Sequence, residues 1–228
     1  MNGVEAALRA RGNPERAAFT AHYFPTSMEI LGVSTPEMRA VLAPCRKLPP
    51  AEMIALCRTL IAGGTHEGRQ AAYDLLDRSA RARALLGADE IETLGRGMDN
   101  WASVDAYACG LAGRAWNAGQ LDEARVLRWA RSPDRWWRRA ALVSTVPLNM
   151  KSRGGRGDPG RTLPACEALA GDPDDMVAKA LSWALRALLP HAAGEVLALV
   201  ARPEVAARVR REVLNKHRTG LKLPAREA

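Results

Sequence analysis

Asp99-Asn100-Trp101-Ala102-Ser103-Val104-Asp105-Ala106-Tyr107 reads as the opening of a helix. Asp99 or Asn100 can cap it, because a short side-chain oxygen accepts from the unpaired amides of a first turn. Trp101 and Asp105 are four residues apart, so they share one helical face. An aromatic face ordinarily turns to a core, and a carboxylate there needs a partner or a task. The plain reading is a core Trp and an Asp paired with an Arg on a neighbouring helix.

The rest of the chain gives that pair a setting. Arg69-Gln70-Ala71-Ala72, Val104-Asp105-Ala106-Tyr107, Arg138-Arg139-Ala140-Ala141 and Ala178-Lys179-Ala180-Leu181 align on alanines 71, 106, 140 and 180, at intervals of 35, 34 and 40 residues. Stacked helix pairs repeat at such intervals, and equivalent positions in a stack line one surface. Gln70, Asp105, Arg139 and Lys179 are therefore expected to form a single polar stripe, with the carboxylate beside two cations. Trp183, one turn after Lys179, joins it.

The chain has 228 residues, 47% of them apolar, enough for one sizeable core or a short repeat array. It is rich in Ala, Leu, Arg and Glu and poor in β-branched and aromatic residues, which favours helices throughout. One domain is expected over 1–228. It comprises irregular N-terminal helices over 1–62, regular helix pairs over 63–218 and a tail over 219–228. Asn13-Pro14 and Ser132-Pro133 read as a cap followed by the first helical residue, and Asp172 reads as the cap ahead of Pro173. Within the paired region, residues 149–160 carry Lys151, Arg153 and Arg156 among four glycines, and read as a flexible cationic loop able to drape over phosphates. The same loop, read plainly, is a solvated insertion.

Four cysteines (45, 57, 109 and 166) and four histidines lack metal-site or CxxC spacing, so free, buried thiols and no metal are expected. The start lacks the basic and apolar blocks of a signal peptide, and no apolar run could span a bilayer. A cytoplasmic protein without membrane contact is expected. The net charge of +8 suggests a polyanionic partner.

Gly12-Asn13-Pro14-Glu15, Leu31-Gly32-Val33-Ser34-Thr35-Pro36, Trp101-Ala-Ser-Val-Asp105, Trp137-Arg138-Arg139-Ala140 and Lys179-Ala-Leu-Ser-Trp183-Ala-Leu-Arg186 together resemble the AlkD-like DNA alkylation repair glycosylases, over nearly the whole chain. The resemblance implies an all-α, right-handed superhelical solenoid of HEAT-like antiparallel helix pairs with a concave cationic groove. It implies that Asp105 is the catalytic carboxylate and that Trp101 and Trp183 form an aromatic cleft. It further implies that Arg139 contacts the DNA backbone beside the lesion. Asn100 stands where the best-known members carry a second Trp, and the glycine-rich insertion before Arg161 is not a family feature.

The chemistry that follows is hydrolysis of the N-glycosidic bond of a cationic N3- or N7-alkylated purine in duplex DNA. The charged base is already a good leaving group, so the oxocarbenium-like sugar is what needs help. Asp105 would stabilise that sugar and position water, kept ionised by Arg139. Trp101 and Trp183 would pack on the deoxyribose. Arg138, Arg139, Lys179, Lys151, Arg153, Arg156, Lys216 and Arg218 would hold phosphates. No cofactor is expected, and a monomer suffices. The alternatives are a DNA-structure-binding solenoid without catalysis and a protein–protein scaffold with an apolar concave face.

Overall fold

A computed structural model describes residues 2–222; residues 223–228 of the expected tail lie outside the described residues. The helices are α1 (Asn2–Arg9), α2 (Pro14–Tyr23), α3 (Thr35–Val41), α4 (Pro50–Ala62), α5 (His66–Arg78), α6 (Ala80–Arg83), α7 (Ala88–Gly95), α8 (Trp101–Tyr107), α9 (Gly113–Asn117), α10 (Glu123–Ala130), α11 (Arg135–Asn149), α12 (Pro159–Ala168), α13 (Asp175–Leu188), α14 (Ala193–Val200) and α15 (Ala207–Thr219). Short 3-10 turns cover Pro44–Lys47 and Lys151–Arg153. No strand forms among the described residues, and a single bridge joins Glu29 to Thr65. The all-α expectation holds. The chain packs as two compact units, residues 1–115 and 116–228.

In the first unit, α3, α5 and α8 lie side by side and run the same way. At their starts, the Glu67 carboxylate accepts the backbone N–H groups of Leu31, Gly32 and Val33, just ahead of α3, at 2.9, 2.8 and 3.2 Å. Further along, Arg39 pairs with Asp74 at 3.0 Å and the Tyr73 and Tyr107 rings meet at 5.7 Å. Near the ends, Arg114 pairs with Asp77 at 2.7 Å. Glu67 is only 4% exposed, and three donors replace the water it gives up. Gly32 is required beside it: its φ is +74°, and a β-carbon there would lie 2.2 Å from the Asn13 carbonyl oxygen.

The helix that opens at Trp101 is interrupted. A π-helical turn over Ala108–Ala112 separates α8 from α9. All five of its residues are buried. A π turn inserts one extra residue and so rotates everything after it relative to the Trp101–Asp105 face.

In the second unit, α11, α13 and α15 lie side by side and again run the same way. Arg135 meets Asp174 and Arg138 meets Asp172 where α11 and α13 begin, and His191 reaches the Asn149 carbonyl where they end. Arg208 meets Asp175 and Ser182 donates to Glu212 between α13 and α15. Helices α10, α12 and α14 alternate with them in sequence. This is how stacked helix pairs place their second members.

Two caps differ from expectation in the same way. Asp134, not Ser132, caps α11 by accepting from the Trp136 N–H at 2.8 Å. Asp174, not Asp172, caps α13 by accepting from Met176 and Val177. Ser132 and Asp172 instead accept the N–H of those capping residues, at 3.2 and 2.9 Å. Each Ser/Asp-Pro-Asp run therefore makes a side-chain turn first and a cap second. Helix α11 also runs through Pro147 to Asn149, whose amide donates to Thr145 O and Thr162 Oγ1.

The insertion over 149–160 is folded down rather than draped. Asn149 Oδ1 accepts the Asp158 N–H at 2.9 Å. Gly155 lies so close to the end of α11 that a β-carbon would sit 2.2 Å from Pro147 O. Glycine is used here for close approach, not for mobility.

Candidate functional site

Asn100 settles which residue caps α8: its oxygen accepts the Ser103 N–H at 2.9 Å. Its amide donates to Asp99 Oδ1 at 3.1 Å and Thr26 Oγ1 at 3.4 Å. Asp99 faces back to the turn after α2, accepting from the Thr26 hydroxyl (2.6 Å), the Ser27 N–H (2.5 Å) and the Ser27 hydroxyl (2.8 Å). Burial alone would push the Asp99 carboxyl up; these hydrogen bonds outweigh it and hold the group below the usual carboxylate range.

Trp101 is half-buried at the start of α8. The Tyr23 and Phe24 rings meet its indole edge-on, with centroids at 5.7 and 5.8 Å. Tyr23 in turn stacks flat on Phe19 at 6.2 Å, and these two rings are 64% and 69% exposed. Behind them, Phe24 leans on His66 at 5.1 Å. His66 is buried and its Nδ1 has no partner; burial pushes its pKa below the ordinary histidine value. Asp105 is half-buried one turn after Trp101. The first unit thus carries a carboxylate and an indole on one helical face, beside an aromatic ladder open to solvent. Phe19 and Tyr23 were legible as an i, i+4 pair, but nothing in the sequence set them beside Trp101.

Arg139 and Trp183 belong to the second unit. Arg139 is 6% exposed and donates to the Met176 carbonyl in the first turn of α13 at 2.6 Å. Arg138 is half-buried; it pairs with Asp172 at 2.6 Å and also donates to Ser132 O and Pro133 O. Lys179 pairs with Asp175 at 2.7 Å. Asp175 also takes Arg208, and its carboxyl is held low first by the Lys179 hydrogen bond. Trp183 lines an open groove of about 440 Å³ together with Met150, Lys151, Arg186, Pro190 and Lys216. Arg186 donates to Ser182 at 3.2 Å; burial draws its pKa down, against the opposing charge of Glu212. Lys216 reaches the Gly220 carbonyl that ends α15. Lys151, Arg156 and Arg218 are exposed, and Arg153 is half-buried.

The structure therefore groups Trp101 with Asp105, Arg139 with the start of α13, and Trp183 with Lys151 and Lys216. The four cysteines are buried free thiols; burial pushes Cys57 up to about 12. No group of three metal-ligating side chains gathers among the described residues. No helix among them is long and apolar enough to cross a membrane.

No curated protein matches the chain. Among solved structures it is similar to a predicted DNA alkylation repair enzyme from Enterococcus faecalis, with 20% identity, 92% of this chain and 97% of that one covered, and a TM-score of 0.72. That likeness shows the fold. The model of the DNA alkylation repair enzyme family matches residues 4–222, and the chain belongs to that family.

Proposed function

We propose that this family member is a monofunctional DNA glycosylase that removes cationic N3- or N7-alkylated purines from duplex DNA. The observation that carries the reading is Asp105, half-buried one turn beyond a Trp101 whose neighbour Tyr23, stacked on Phe19, is open to solvent. In the reaction the C1′–N bond breaks and its electron pair leaves with the base, cancelling the base's positive charge. The sugar left behind is oxocarbenium-like. A carboxylate beside it stabilises that charge and orients the incoming water, whose oxygen bonds to C1′ as its proton is released. No general acid is needed, because the base departs neutral.

Trp101, with Tyr23 at its edge, gives the deoxyribose a flat apolar face. On the second unit, Trp183 is assigned to pack on a deoxyribose and Arg139 to a backbone phosphate. The cations Lys151, Arg153, Arg156, Lys216 and Arg218 supply affinity without sequence preference, and Arg138 and Lys179, paired with Asp172 and Asp175, add less. The protein is read as a monomer acting in the cytoplasm.

The test is release of free methylated purine from an alkylated duplex. Wild type should release base, and Asp105→Asn should be slower by about 100-fold or more, the scale of losing a preorganised charge partner. Duplex binding without release by wild type would replace the glycosylase with a DNA-structure-binding protein. Equal release by both would remove Asp105 from the chemistry.

A further inference from the structure

We propose that Asp99 is a positioning residue for this site: a latch that ties the turn after α2 to the start of α8, and so sets the attitude of Trp101 and of the turn that carries Asp105. The proposal rests on the reading of Trp101 and Asp105 given above.

The carboxylate of Asp99 gathers four donors: the Thr26 hydroxyl, the Ser27 N–H, the Ser27 hydroxyl and the Asn100 amide. Thr26 Oγ1 also accepts the Met28 N–H at 3.2 Å and the Asn100 amide at 3.4 Å. One small polar network therefore fixes both partners of a junction. On one side, Asn100 is fully buried and its other end caps α8, one residue before Trp101. On the other side, Tyr23 and Phe24 immediately precede Pro25 and Thr26, and their rings hold the Trp101 indole edge-on.

The need for a latch follows from α2 itself. None of its residues is buried. A helix with no buried residue of its own takes its placement from ties near its ends, here including Arg16 to Gly32 O and Glu37 and the buried Phe24 ring just past Tyr23. Asn13 caps its start, and Asp99 holds the turn that follows its end. With Asp99 gone, Tyr23 loses its fixed position against Trp101, while α8 keeps its Asn100 cap. The loss falls on geometry at the site, more than on whether the helices form. Displacements near 1 Å in such sites lower rates by about 100-fold at most, and a loosened wall is expected to lower them by about tenfold.

The experiment compares Asp99→Ala with the pair Thr26→Val/Ser27→Ala, which removes the two hydroxyl donors of the network from the opposite side. Single-turnover base release and duplex affinity are measured on methylated DNA, together with acrylamide quenching of Trp101, taken as the difference from a Trp101→Phe parent. Both variants should lose about tenfold in the release step, keep duplex affinity within about twofold and expose Trp101 to quencher. Combining them should cost little more than Asp99→Ala alone, because that variant already removes the shared acceptor of all four donors. Release within twofold of wild type in both variants would overturn the latch. So would additive losses in the combined variant. If Asp99→Ala fails to fold, the Thr26/Ser27 pair, which retains the Ser27 N–H bond, decides. Loss in Asp105→Asn without loss in the Asp99 variants refutes the latch alone; no loss in Asp105→Asn refutes the reading beneath it.

Discussion

Replacing Glu67 by Gln should destabilise the first unit far more than an isosteric change at a surface carboxylate would. Oε1 accepts from Gly32 and Val33 and Oε2 from Leu31, in a site 4% exposed. In Gln the remaining oxygen can keep two of these bonds, but an NH₂ group then faces the third N–H. One buried donor is left unpaired and the other two bonds lose their charge. An unpaired buried donor costs about 1–3 kcal/mol, and charge-assisted bonds are about twice as strong as neutral ones, so a total of about 2–4 kcal/mol is expected. Glu67→Ala abandons all three donors and should lose about 1–2 kcal/mol more. For a chain of this size 1 kcal/mol moves the thermal midpoint by roughly 2–4 °C. Glu67→Gln should therefore melt about 4–15 °C below wild type, followed by circular dichroism at 222 nm. A midpoint within 1 °C of wild type, with an unchanged urea m-value, would refute the claim that this carboxylate organises the Leu31–Val33 turn.

Acid should weaken the protein through His66 before it reaches the carboxylates. Burial lowers the folded pKa of His66, so the unfolded chain takes up a proton first as pH falls through about 6.5. Stability is then full above that value and declines below it; the thermal midpoint should drop between pH 7 and 5 in wild type and drop less in His66→Gln. Asp99 and Asp175 act lower: their folded pKa values are depressed, so their contribution is present above about 4 and fades as pH falls below it. Substituting Lys151 and Lys216 by Ala should weaken binding to any duplex and flatten the dependence of log K on log salt by about 1 for each phosphate no longer neutralised, checked by fluorescence anisotropy at several salt concentrations. An unchanged slope would take both side chains off the backbone.

Helix existence was legible because the signals are local. Asn13 ahead of Pro14 and Thr65 ahead of His66 both cap as the sequence suggests. The alanine register also carried real information: it places Ala71 on α5 and Ala106 on α8, two helices that pack in parallel, and Ala140 on α11 and Ala180 on α13, which do the same. Three features lay beyond local signals. The π turn over Ala108–Ala112 carries no spacing signal that sets it apart from the helix around it, and it packs against α5. Gly155 and Gly157 of the insertion read as freedom but serve close packing, since near approach and flexibility ask for the same residue. The aromatic wall beside Trp101 joins residues more than 70 positions apart through Asp99, and no spacing rule reaches that far.

Cations were the hardest residues to interpret, for a reason set by the stacking itself. When second helices lie parallel, the first-turn cations of one meet carboxylates at the start of its neighbour. Arg135 and Arg138 at the start of α11 meet Asp174 and Asp172 at the start of α13. One step along, Arg208 at the start of α15 meets Asp175, which also holds Lys179. Asp174 caps α13 and Asp172 and Asp175 flank that cap; carboxylates there are favourable at the helix N-terminus, and they give the helices on both sides an acceptor. The Arg-rich helix starts thus neutralise the row of carboxylates at the start of α13, and each such pair adds nothing to the net charge of +8. The field a polyanion meets is set instead by cations outside this row, among which Lys151, Arg156 and Arg218 are exposed. Arg138→Ala should accordingly lower the melting temperature more than it lowers duplex affinity, and the reverse order would show that its pairing with Asp172 yields to DNA.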